Sequence, residues 1–254
     1  MARFTGFAAL VRREIFRFAC VFTQTLLPPV ISSFLYIFIF GYSLGQKIQT
    51  VGETQYLSFL IPGLVMMYVI EGSYANTSSS LFISRWANYI EELLVTPLSY
   101  IEMVLAILIG GLVRSTVVAL GVYGVSLLFV QFPIVHILWT FYFLIFVSLI
   151  FSALGMIVAL YAEEFEHLSM ATTFLITPLI FLGGVFHSIE MVPAVLRPLT
   201  EFNPMFYMIN GLRYSMLGAA DVSVVQSAVI VIVLFAVLFT YTVLLFKSGF
   251  KLRK

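Results

Sequence analysis

Six separate stretches of this chain are apolar for long enough to cross a lipid bilayer, and that repetition limits the fold more than any other feature. A hydrocarbon core about 30 Å thick takes ~20 apolar helical residues. The stretches fall near 24–44, 57–81, 103–130, 135–161, 169–187 and 225–246. Each is continuously apolar instead of alternating, so helices, not barrel strands, would satisfy the backbone inside lipid. The expected fold class is all-α: a polytopic membrane protein whose residues 1–254 form one membrane domain, with no soluble domain, linker or internal repeat.

Composition closes the soluble alternative. Hydrophobic residues make up 61% of the chain and charged residues 10%, against about 45–50% and about 25% in soluble domains. So few ionisable groups cannot cover a surface that faces water. A net charge of +1 gives no field that would draw nucleic acid. One cysteine, Cys20, leaves no internal disulfide and no cysteine-rich metal site.

Charge placement sets orientation. Arg3, Arg12, Arg13 and Arg17 precede the first stretch, Lys247, Lys251, Arg253 and Lys254 follow the last, and Arg85 follows the second. With six spans these lie on one side, opposite Lys47, Arg197 and Arg213, which predicts that both termini are cytoplasmic. The segment 161–168 holds Glu163, Glu164 and Glu166 without a basic residue, but acidic residues carry little weight in this rule. The basic amino-terminal segment reads as an interfacial helix on the inner membrane face. Arg12-Arg13 has a faint likeness to a twin-arginine export signal, which the anchor reading displaces. The apolar stretch that follows is too long for a signal-peptide core and lacks a cleavage site, so it is expected to stay as the first span.

Between the second and third spans, Trp86, Ile90, Leu93 and Pro97 recur at helical spacing, with Arg85, Asn88, Glu91 and Glu92 on other faces. This predicts a short amphipathic helix stopped by Pro97. By periodicity alone it lies in the membrane interface, anchored by Trp86 and Tyr89. The alternative is a peg that offers Glu91 and Glu92 to a cytoplasmic partner.

Two charges fall inside spans, Glu71 and Arg114, each about ten residues from the cytoplasmic end, or ~15 Å deep. An isolated charge there costs at least ~2.5–3.5 kcal/mol, so an ion pair across the helix hairpin is expected. A packing role and a role in substrate or proton handling both stay open. Glu163-Glu164-Phe165-Glu166-His167 lacks the spacing of a helical metal motif and reads as a solvated loop. No phosphate loop occurs, because Lys247-Ser248 lacks the required glycines.

The stretch Arg85 to Pro97, with its Ile-Glu-Glu-Leu-Leu-Val-Thr-Pro core, resembles the coupling-helix motif of ABC-2-type transporter permeases. Gln24-Thr25-Leu26-Leu27-Pro28-Pro29-Val30, Pro62-Gly63-Leu64, and Thr177 to Phe186 followed by Asn203-Pro204, Tyr207 and Arg213 also resemble that family, in order along nearly the whole chain. The resemblance implies a permease subunit in the cell (inner) membrane, a homodimer in contact with membrane lipids, and two separate ABC ATPase (nucleotide-binding) subunits. It implies export of a lipid-linked, polysaccharide or drug-like substrate. ATP and Mg would be bound by the partner, and this chain would hold no catalytic, metal or cofactor residues. Coupling to the ATPase would fall to Arg85, Trp86, Ile90, Glu91, Glu92, Leu93 and Pro97, helped by Glu163 and Glu164. Short re-entrant helices before the last span would cap the exit, with Phe186, Asn203, Tyr207 and Arg213 as an outer gate. Two rivals remain: an intramembrane lipid-modifying enzyme using Glu71, His136 or the acidic loop, and a gradient-driven transporter. The first should gather several polar groups at one depth, and the second usually shows inverted repeats.

Overall fold

The computed structural model describes residues 2–43, 50–51, 54–131 and 133–252. Leu44, at the expected end of the first span, and Lys47, Arg253 and Lys254 from the charge count lie outside the described residues. Among the described residues six helices are long and apolar enough to cross a membrane: Phe22–Gly41, Tyr56–Trp86, Tyr100–Ser126, Ile137–Tyr161, Phe165–Leu182 and Val224–Ser248. The protein is therefore an all-α polytopic membrane protein, with only a two-residue hairpin, β1 (Thr50–Val51) and β2 (Thr54–Gln55), as sheet among the described residues.

The order starts with α1 (Ala2–Cys20) and α2 (Phe22–Ser43), joined at Val21, whose amide donates to the Phe18 carbonyl. After the hairpin, α3 (Tyr56–Trp86) descends through the centre and α4 (Ile90–Leu94) turns beneath it. Next come α5 (Tyr100–Ser126), α6 (Ile137–Tyr161) and α7 (Phe165–Ala171). A π-helical turn at Thr172–Ile176 leads into α8 (Thr177–Leu182). A 3₁₀ turn at Ile189–Met191, α9 (Arg197–Phe202), α10 (Pro204–Leu217) and α11 (Val224–Ser248) complete the chain.

Helix α3 is the core. In its most apolar window 83% of residues are buried, against 11% in that of α2, so α3 meets protein on every side while α2 leaves much of its surface for lipid or another chain. It packs against α6 and α5. Thr77 Oγ1 donates to the Ser152 carbonyl at 2.8 Å, and Tyr74 Oη donates to the Leu168 carbonyl at 3.0 Å. Gly155 permits this contact, since a Cβ there would lie 2.7 Å from the Tyr74 carbonyl oxygen. Small residues thus let the helix backbones close up.

Element ends follow local chemistry. A capping box starts α5: Glu102 N–H donates to Ser99 Oγ, and Ser99 N–H donates to Glu102 Oε2 at 2.6 Å. The helix accordingly begins three residues before the expected 103 and ends at Ser126 rather than 130. The second span runs to Trp86, past the expected 81. The fifth starts at Phe165 instead of 169 and stops at Leu182 instead of 187, where Gly183 and Gly184 break it.

Candidate functional site

Helix α3 delivers both candidate surfaces, one at each end. At its lower end Trp86 closes the helix, Asn88 turns back with φ of 61°, and the short helix α4 follows. The expected amphipathic helix is thereby split. Ile90 and Leu93 are buried beneath the bundle while Glu91 and Glu92 are exposed, as the spacing required. Trp86 was expected on the same apolar face, but it ends α3 and is 73% exposed, because the turn at Asn88 breaks the helical register between them. Pro97 lies past the helix and is exposed.

Arg85 turns inward. Its Nε donates to the Lys251 carbonyl at 2.8 Å, and its Nη1 donates to the carbonyls of Ala159 and Ala162. Orphan carbonyls at the end of α6 are thereby satisfied. Lys251 Nζ meets Glu163 Oε1 at 3.1 Å, which supplies a cation for the acidic segment 161–168. Glu164 stays exposed beside α7. Together these groups frame a cleft of about 480 Å³ lined by Phe82, Arg85, Asn88, Glu91, Glu163 and Lys251. The chain's tail, α4 and the α6–α7 turn are thus one surface.

At the other end, Arg213 is buried at the meeting of α10, α3 and the turn after α8. Its guanidinium lies 3.8 Å from the centre of the Phe59 ring, its Nη2 donates to the Gly184 carbonyl at 2.6 Å, and its Nη1 is 3.6 Å from Asp221 Oδ2. Asp221 accepts from Ser188 Oγ at 2.7 Å. Asn203 caps α10 by accepting from Met205 N–H and donates to the Leu179 carbonyl. Phe186 packs on Tyr36, Phe40 and Phe181. Three of the four expected gate residues therefore converge on the end of α8. Tyr207, half-buried, contacts only its neighbour Phe206 among the described ring pairs. Burial pushes the His187 imidazole below its usual value, with Arg213 adding to the shift and Asp221 opposing it.

The expected Glu71–Arg114 ion pair does not form among the described residues. Both residues are half-buried at one level, but α3 and α5 touch at Gly72 and Ser115, and residues 71 and 114 flank that contact. Instead, the buried charge chemistry lies one turn away and uses residues the sequence reading passed over. Glu14, fully buried on α1, accepts from Arg13 at 3.0 Å, Arg17 at 3.4 Å and Ser80 Oγ at 2.7 Å. Arg17 Nη2 donates to both Asn76 Oδ1 and the Asn76 carbonyl. Glycine at 110 makes room, because a Cβ there would sit 2.7 Å from Glu14 Cβ. The signal was present in the polar run Asn76-Thr77-Ser78-Ser79-Ser80, unusual inside an apolar span. Asp221 was passed over too; it is an acid in the outer segment that also holds Arg213.

Similarity to known proteins agrees with this layout. The inner membrane transport permease YadH of Escherichia coli K12 is 38% identical over 221 residues, 87% of this chain and 86% of its own length. Nodulation protein J of Neorhizobium galegae is 26% identical over 216 residues, 84% and 82% of the two chains. Its Rhizobium meliloti counterpart is 25% identical over 217 residues, 85% and 83%. The ABC-2 type transporter family matches residues 5–217. That match, joined to six apolar helices, makes this a multi-pass inner-membrane permease subunit that works with an ABC ATPase, and the chain belongs to the ABC-2 type transporter family.

Proposed function

We propose that this chain is the permease half of an ATP-driven exporter, acting as a homodimer with two ABC ATPase subunits. The observation that carries the reading is α4: it buries Ile90 and Leu93 in the bundle, exposes Glu91 and Glu92, and hangs from α3, the helix with the most buried span. A push on that peg is transmitted along a rigid rod about 46 Å long, at ~1.5 Å per residue, to Phe59 and the Arg213 cluster at the far end. Both termini and α4 face the cytoplasm, following the basic residues. Arg85 and Glu163 fix the cleft beside α4, and Glu164 faces the same partner.

At the outer end, Phe186, Asn203, Tyr207 and Arg213 act as the gate. The hydrogen bond from Arg213 to the Gly184 carbonyl ties α10 to the turn after α8, so it is the contact that parts when α8 and α10 separate. The weakly buried α2 supplies surface for the second copy and for lipid. Substrates of lipid-linked, polysaccharide or drug-like type fit a path made by two such bundles. No covalent chemistry is required of this chain, since the energy comes from ATP and Mg held by the partner.

The test is the double substitution Glu91→Ala/Glu92→Ala in the purified complex with the ATPase. Assembly or substrate-stimulated ATP hydrolysis should fall about tenfold or more, while the permease stays folded. An intact complex with unchanged coupling would overturn the docking role. Labelling that places α4 outside and the tail inside would overturn the topology.

A further inference from the structure

The cluster where α1 crosses α3 and α5 holds more positive charge than its own carboxylate neutralises. Arg13 and Arg17 share the one acid Glu14, whose two oxygens are taken by them and by Ser80, and Arg114 lies near Arg17 with no carboxylate paired to it among the described residues, Glu71 at the same level included. Arg114 lies one helical turn beyond Gly110 on α5, and the charge that acts on it is another cation, Arg17. Two donors are left without acceptors: Arg114 Nε, and Nδ2 of the fully buried Asn76. The Asn76 orientation is fixed, because its Oδ1 accepts from Arg17. Asn76 Nδ2 is 3.4 Å from where a Gly110 Cβ would stand, so both unfilled donors border the same α5 face.

Depth says what kind of anion can reach them. Asn76 lies twenty residues along α3 from Tyr56, about 30 Å, which is one hydrocarbon thickness. With Tyr56 at one face of the bilayer, Asn76 stands at the opposite headgroup layer and Arg114, beside the Gly72–Ser115 contact, about one turn inside it, shallower than the ~15 Å expected from the span ends. Arg17 and Arg114 are only half-buried, so the cluster opens towards lipid. Buried donors beside excess cationic charge, at headgroup depth, fit a phosphate better than water, because guanidinium groups bind phosphate through charge-assisted hydrogen bonds.

We propose that Arg114, Arg17 and Asn76 form a binding site for the phosphate of an anionic lipid at the membrane face on the α4 side. The phosphate oxygens accept from Arg114 Nε and Asn76 Nδ2 and neutralise the surplus charge. The same phosphate chemistry is offered by a bilayer phospholipid or by a phosphorylated polyprenyl carrier.

The test measures retention of three probes by the full-length chain in detergent: phosphatidylglycerol, a polyprenyl phosphate and phosphatidylcholine. The first two should bind at least about tenfold more tightly than phosphatidylcholine. Preference for the polyprenyl phosphate assigns the site to cargo, and equal retention assigns it to bilayer lipid. Arg114→Gln should lower anionic-lipid binding about tenfold, Arg114→Lys should restore part of it, and Arg197→Gln at the opposite end should change nothing. Asn76→Asp places a carboxylate where the phosphate would bind, so it should abolish binding and raise the unfolding temperature. That readout still decides the matter if Arg114→Gln fails to fold. Unchanged binding in a folded Arg114→Gln protein, undiminished binding in Asn76→Asp, or phosphatidylcholine held as tightly as phosphatidylglycerol would overturn the proposal.

Discussion

Helix α3 meets an arginine cluster near each end, and the two are built to opposite rules. Above, Arg213 faces one carboxylate, one aromatic ring and one carbonyl, so a single buried cation is balanced by a single acid. Below, Glu14 is shared by Arg13 and Arg17 while Arg114 has no carboxylate partner among the described residues; unfilled polar atoms occur at both ends, Arg213 Nε and Asp221 Oδ2 above and Arg114 Nε and Asn76 Nδ2 below, so charge balance is what separates the two. A balanced cluster closes a structure. An unbalanced one at lipid depth asks for a ligand, because buried charge without a partner is expensive. The difference separates a latch from a receptor within one helix bundle.

Breaking the latch should have the largest effect. Arg213→Ala leaves Asp221, itself only 14% exposed, without its cation and uncovers the Phe59 ring. The loss expected for breaking a buried pair is about 3–5 kcal/mol, read as a large drop in unfolding temperature in detergent. Arg213→Lys keeps the charge but not the planar contact with the ring, so it should lie between the two. Equal stability in all three proteins would mean that Arg213 does not hold the outer end.

The receptor end depends on close approach more than on charge balance. Gly110→Ala puts a Cβ 2.7 Å from Glu14 Cβ and forces α1 away from α5. Overpacking of this kind costs about 1–3 kcal/mol. Protease sensitivity between Arg12 and Arg17 should rise with it, and an unaltered digestion pattern would argue against the tight seat of Glu14.

The sequence made the spans legible because a membrane helix is declared by length and apolarity, both local properties. Capping at Ser99 and Glu102 and the break at Gly183-Gly184 moved span ends by a few residues only. The burial of Ile90 and Leu93 followed from spacing, but the Asn88 turn that removes Trp86 from their face did not. Charge partners were harder. Equal depth suggested that Glu71 would meet Arg114, yet depth says nothing about rotation around a helix axis, and where α3 and α5 touch it is Gly72 and Ser115 that meet. Glu14 was hidden for the same reason: its partner Ser80 lies far along the chain on α3, and only the packing of α1 joins them.

A smaller and purely pH-dependent effect tests the latch from its side. His187 titrates below 6.5 because burial, reinforced by Arg213, disfavours its charged form. The neutral ring therefore contributes stability that is present above the unfolded value and lost as pH falls through the lower folded one. Unfolding temperature should decline below pH 6.5 more steeply in the parent than in His187→Gln. Parallel curves would show that His187 does not sense the Arg213 cluster.

The smallest effect belongs to the ion pair farthest from the lipid. Lys251 and Glu163 touch at 3.1 Å, but their side chains are 37% and 75% exposed, so water and salt screen the attraction. Exposed pairs contribute about 0.2–1 kcal/mol. Lys251→Gln should hardly move the unfolding temperature, whereas polar substitution of the buried Leu252 beside it should release the tail. The same type of contact then ranges from negligible to dominant with depth. A large loss in Lys251→Gln would break that ordering and make charge, not the buried Leu252, the reason the tail stays beneath α4.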